Sequence, residues 1–135
     1  MVARRVVLIF GPPGAGKTTM ARSLGLDVYD RDDPIWNNNE SRFRAALAAV
    51  GRDPQAQAVV IRTGATQSAR AWATNLCAAT EIRLLATPAD VCRERIIQRR
   101  RSDLKASLRG VQTWWDQYEP DSTPQVAHGA TSRAW

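Results

Sequence analysis

The chain has 135 residues, of which 44% are hydrophobic and 24% charged, and its formal net charge is +6. That length accommodates one domain, and no apolar run approaches the ~20 residues of a membrane span. Two cysteines, Cys77 and Cys92, lack a Cys-x-x-Cys spacing and are joined by one histidine, His128, which excludes a thiolate metal centre. Both thiols are expected to be buried and free in a cytoplasmic protein.

The run Val6-Val7-Leu8-Ile9-Phe10 is apolar throughout and ends at Gly11-Pro12. It reads as a strand buried on both faces of a parallel sheet rather than as a cleavable leader. Lys17 to Leu24 follows as a short helix stopped by Gly25, and Leu26 to Tyr29 as a second strand. Asn37, with Glu40 three residues on, predicts a capping box. The helix it opens turns Phe43, Leu47 and Val50 inward and closes at Gly51.

Ala58 to Ile61 is the third strand, followed by a helix on which Trp72 and Leu76 share a face, and Ile82 to Ala86 is the fourth. Thr87-Pro88-Ala89-Asp90 supplies a cap, a first-turn proline and an acid for a helix through Val91, Cys92, Ile96 and Ile97. Val111, Trp114, Trp115 and Tyr118 mark the apolar face of a last helix. Strands alternating with helices predict an α/β fold, a parallel sheet of about four or five strands flanked by helices. Residues 1–118 form this domain, and 119–135, rich in Pro, Ser, Thr and Asp, form an extended C-terminal tail. Trp114, Trp115 and Trp135 either complete the core or bury in a homo-oligomer interface.

The segment Gly11-Pro12-Pro13-Gly14-Ala15-Gly16-Lys17-Thr18-Thr19 sits between a strand and a helix and matches the P-loop pattern in the context it requires. Its glycines let backbone N–H groups converge on phosphate oxygens, Lys17 reaches the β- and γ-phosphates, and Thr18 is the Mg²⁺ ligand. The implied cofactors are ATP or GTP, with Mg²⁺. The third strand ends in Arg62-Thr63-Gly64 without the acid of a motor or switch ATPase. That favours a small kinase, in which Thr18, phosphates and water hold the metal.

Such an enzyme also needs a carboxylate near the acceptor hydroxyl and cations around the transferring group. Asp30-Arg31-Asp32-Asp33 follows the second strand, at the edge where open α/β sheets bind ligands. Arg93, Arg95, Arg99, Arg100, Arg101, Lys105 and Arg109, opposed only by Glu94 and Asp103, form an arginine-rich lid facing polyphosphate, nucleic acid or both.

With these parts in order, residues 5–118 resemble the phage-type polynucleotide 5′-hydroxyl kinases and their P-loop kinase relatives. The resemblance implies that Asp32, in Arg31-Asp32-Asp33, is the general base, and that Arg95 and Arg99, four apart, embrace the donor phosphates as cofactor-binding lid residues. Lys17, Asp32 and Arg99 would be catalytic, and Asp32, Asp33 and Arg62 would meet the substrate. The chain departs from that family where Pro34-Ile35-Trp36 replaces a following arginine and where Arg62-Thr63-Gly64 replaces Asp-Thr-Asn. Trp36 and Trp72 read as core in preference to base-stacking platforms.

The leading expectation is phosphoryl transfer from ATP to a hydroxyl of nucleic acid, favoured by the spread of Arg42, Arg44, Arg52 and Arg70. A kinase of a small nucleotide, nucleoside or metabolite is the alternative within enzymes. A non-catalytic ATP-binding module working through a partner is the alternative outside them.

Overall fold

A computed structural model describes residues 3–99 and 102–120, and the backbone of 125–126. Among the described residues five strands, β1 (Arg5–Phe10), β2 (Asp27–Asp30), β3 (Gln57–Arg62), β4 (Glu81–Leu85) and β5 (Gln125–Val126), form one sheet in the order β2-β3-β1-β4-β5. Every pairing is parallel. Central β1 buries Val6 to Phe10 completely, as its unbroken apolar run demands.

The helices are α1 (Lys17–Ser23), α2 (Glu40–Arg52), α3 (Gln67–Cys77), α4 (Ala89–Arg99) and α5 (Leu104–Gln117). Alternation along the strands divides the core in two. Val7, Ile9, Val59 and Ile61 pack against α1, α4 and α5 through Ala21, Cys92, Ile96 and Val111. On the other face, Val6, Leu8, Phe10 and Val60 pack against α2 and α3 through Phe43, Leu47, Ala73 and Cys77. Both cysteines are buried and free. Among the described residues no helix is long and apolar enough to cross a membrane.

Several sequence expectations need correction. Asn37 does not cap α2. It lies at φ 49° at the end of the 3-10 turn Pro34–Trp36, and Asn39 caps the helix by accepting from the Arg42 N–H at 3.0 Å. Gly51 does not end α2 but lies within it, where a Cβ would stand 2.3 Å from the Leu76 carbonyl oxygen. Its bare backbone lets α3 approach closely. Trp72 is 41% exposed, with the Arg44 guanidinium over its ring at 4.5 Å.

Arg70, counted with the basic surface, is 2% exposed. Its guanidinium donates to the carbonyls of Gly64 (2.8 Å), Ala65 (3.0 Å) and Glu119. Glu119 further ties the chain down: its N–H donates to the Ala65 carbonyl at 2.9 Å, and its carboxylate accepts from the Gln67 N–H, the first turn of α3, at 2.8 Å. Of the residues expected as a tail, Glu119 and Pro120 thus bond to the start of α3, and Gln125–Val126 pair with β4 as β5. The rest of that expected tail lies outside the described residues.

Candidate functional site

β1 and β3 are neighbours in the sheet, but the chain leaves β1 toward β2 and leaves β3 toward β4. The carboxyl ends of two adjacent strands whose connections run over opposite faces of the sheet, α1 on one and α3 on the other, form the crevice where α/β sheets bind ligands. The loop after β1 lies there. It is followed by α1, whose N-cap, Gly16 (φ 100°), leaves the first N–H groups without a side-chain cap. Those unsatisfied donors and the helix dipole favour an anion.

The loop is held from behind. Gly14, at φ 76°, is so close to α4 that a Cβ would stand 2.6 Å from the Cys92 carbonyl oxygen. The Ala15 carbonyl accepts from the Thr87 hydroxyl and from Arg95, each at 3.1 Å, and Arg95 also reaches the Gly14 carbonyl at 3.4 Å. The Gly11 N–H donates to the Thr63 carbonyl at 3.2 Å, and the same carbonyl accepts from Trp114 Nε1 at 2.7 Å. Thr87, expected as a helix cap, and Arg95, expected on the phosphates, thus brace the loop.

A cavity of about 350 Å³ opens in front of it. Pro13 to Thr18 form one wall, Asp30, Arg31 and Asp32 at the end of β2 a second, Arg62 and Thr63 at the end of β3 a third, and Arg99, Asp103 and Ser107 of the α4–α5 region a fourth. The structure therefore brings together Lys17, Thr18, Asp32, Arg62 and Arg99, which are far apart in sequence. Gly11 and Pro12 lie behind the cavity, and Thr19 is exposed outside its lining. Asp33 is also outside it, its carboxylate accepting from the Ile35 N–H at 3.0 Å as the cap of the 3-10 turn. Lid residues Arg100 and Arg101 lie outside the described residues.

Lys17 Nζ donates to the Gly11 carbonyl and, at 3.3 Å, to the Pro12 carbonyl. Burial lowers its pKa to about 8, against the opposing influence of Asp30, then Asp32 and Cys92. Phosphate oxygens would supply the missing countercharge and restore a higher value, so triphosphate binding should take up a proton above pH 8. Affinity for a non-hydrolysable ATP analogue is accordingly expected to fall as pH rises from 8 to 10. Calorimetry in buffers of different ionisation enthalpy measures the proton count, and an affinity flat over that range would contradict the assignment.

Asp30 and Glu40 take on roles that the sequence did not assign to them individually. Asp30 lines the cavity, and its carboxylate accepts from the Asp32 N–H at 3.0 Å, setting the turn that presents Asp32. Glu40, taken only for a capping residue, binds three arginines: Arg31 Nε at 2.9 Å, Arg44 Nε at 2.6 Å, and both terminal nitrogens of Arg62 at 3.3 and 3.2 Å. Partial burial works against its ionisation, yet the hydrogen bonds from Arg44, Arg62 and Arg31 hold its pKa down to about 2.

No protein-family model and no curated protein matches the sequence. Solved structures do match the fold. A gluconokinase from Sinorhizobium meliloti superposes with a TM-score of 0.64 at 16% identity, over 97% of this chain and 86% of that one. An APS kinase from Mycobacterium tuberculosis, in complex with AMPPNP and APS, gives 0.63 at 17% identity over 97% and 92%. Kti12 from Chaetomium thermophilum, in complex with ADP-AlF3, gives 0.57 at 20% identity over 90% and 87%. The chain has the fold of the P-loop kinases.

Proposed function

We propose that the protein transfers the γ-phosphate of ATP to a hydroxyl of a small polar molecule. The observation that carries this reading is the cavity of about 350 Å³ that joins the phosphate loop to Asp32 and Arg62. Its volume is that of a small-molecule site. The gluconokinase and the APS kinase that share the fold are named for small acceptors. The nucleic-acid acceptor expected from the sequence loses support, because Arg70 is spent on backbone carbonyls and Arg44 on Glu40.

The uncapped N–H groups of α1 receive the phosphates, and Lys17 turns from the Gly11 and Pro12 carbonyls to their oxygens. Among the described residues no three His, Cys, Asp or Glu gather as a metal site. Mg²⁺ would therefore be held by the Thr18 hydroxyl, phosphate oxygens and water, and when bound it offsets the charge of the β- and γ-phosphates. Asp32 accepts the proton of the acceptor hydroxyl. The new bond forms between that oxygen and the γ-phosphorus, the bond to the β–γ bridging oxygen breaks, and ADP leaves. Arg99, at the cavity's far wall, stabilises charge on the transferring group.

Labelled γ-phosphate offered to sugar acids, polyols, nucleosides and 5′-hydroxyl DNA and RNA tests the acceptor class. Label on a small molecule is expected, whereas label confined to nucleic acid would overturn it. With the acceptor in hand, Asp32→Asn should lower kcat by about 10²–10⁴-fold and leave affinity for the ATP analogue unchanged. Near-wild-type turnover would dismiss Asp32 as the base.

A further inference from the structure

Glu40 stands on the first turn of α2, yet its bonds run toward the cavity. Arg31 and Arg62 both line that cavity, one just after β2 and the other at the end of β3, and both end on this one carboxylate. Their side chains remain 27% and 20% exposed. Arg62 also lies over the Phe43 ring at 5.5 Å, and Arg31 donates a second bond to the Asn38 carbonyl at 3.2 Å. The two guanidiniums are thus fixed at several points.

These bonds do not exhaust them. A guanidinium has five N–H donors. Arg31 uses Nε and one terminal nitrogen, while each terminal nitrogen of Arg62 gives one bond to Glu40. Each arginine keeps N–H groups that can serve a second anion. The charges are likewise unequal: three guanidiniums meet one carboxylate. The nearby carboxylates of Asp30 and Asp32 act on Lys17. Without Glu40 the three like charges would repel one another and the cavity pair would turn to water.

Resting on the kinase reading above, we propose that Arg31 and Arg62 form an oxyanion subsite separate from the phosphate loop, that Glu40 is its positioning residue, and that the acceptor carries a carboxylate, sulfate or phosphate bound there. The spare N–H groups of two converging guanidiniums suit a planar or tetrahedral oxyanion. Bound so, the acceptor would keep its anionic end away from the loop and leave a hydroxyl for Asp32.

Sulfate and acetate are the probes, titrated by NMR or calorimetry into protein saturated with AMPPNP and Mg²⁺, so that the phosphate loop is occupied. Saturable binding of either is expected, weakened at least about 10-fold by Arg62→Gln and by Glu40→Gln, with AMPPNP affinity unchanged. Absence of binding by both anions, or equal or tighter binding to Glu40→Gln, would overturn the proposal. Arg31→Gln provides a second test should Glu40→Gln fail to fold, and an unchanged anion affinity in it would overturn the pair. Failure to bind AMPPNP at all would instead strike the kinase reading, so the two are told apart.

Discussion

Lys17→Met should reduce phosphoryl transfer by about 10²–10³-fold or more, the size expected when one preorganised cation is removed from a developing charge. Lys17 is the one side-chain cation inside the loop Gly11–Thr18. Methionine keeps the unbranched stem and removes the ammonium, so the loss falls on electrostatics rather than on shape. A second signature comes from stability. Lys17 in the folded chain has a pKa of about 8, below its ordinary 10.5. Between those values the unfolded chain binds more protons than the folded one, so Lys17 makes wild-type stability rise with pH across that window. The variant should lack this increment, as urea unfolding of both proteins at pH 7.5, 9 and 10.5 would show. Full activity in Lys17→Met would refute the phosphate-loop assignment itself.

Gly64→Ala should destabilise the fold by about 3–5 kcal/mol, combining a left-handed backbone that disfavours a side chain with an overpacked core. Gly64 has φ 54°, and a Cβ there would stand 2.1 Å from Phe10 Cδ1. Phe10 is wholly buried at the end of β1 and has nowhere to retreat. The same stretch carries the Thr63 carbonyl, which holds Gly11 and Trp114, so the variant should also lose nucleotide affinity. Chemical denaturation measures the first effect and analogue binding the second. A loss below about 1 kcal/mol would show that this corner yields more readily than its geometry indicates.

What could be read from the sequence was whatever one segment states about itself. The run Val6–Phe10 observed as β1, the glycines and lysine that follow, and the apolar spacing of Val111 and Trp114 each needed only their neighbours, and the structure agrees with them. Gly25, expected as a helix stop, takes φ 68° just past Leu24, the C-cap of α1. What local rules leave open is chiefly the role of residues with distant partners. Arg70 looks like a surface charge until the carbonyls of Gly64, Ala65 and Glu119 are brought around it. Glu40 meets Arg62 across 22 residues, a pairing that no local rule announces. Arg95 matched a lid spacing, but the approach of α4 to Gly14 puts its guanidinium on loop carbonyls. Arg99, one turn further along, remains at the cavity.

The anchoring of Glu119 has a consequence for how the protein is made. As the chain leaves the ribosome, Arg70 and the Gly64–Ala65 corner emerge well before the residue that completes their bonding. Until Glu119 is free of the exit tunnel, a buried guanidinium lacks one of its carbonyl partners, and until Val126 follows, the outer edge of β4 is unpaired. The nascent domain can collapse around β1 and β3 but cannot close. Until these residues dock, the nascent domain stays exposed to chaperones, and the edge of β4 to stray pairing.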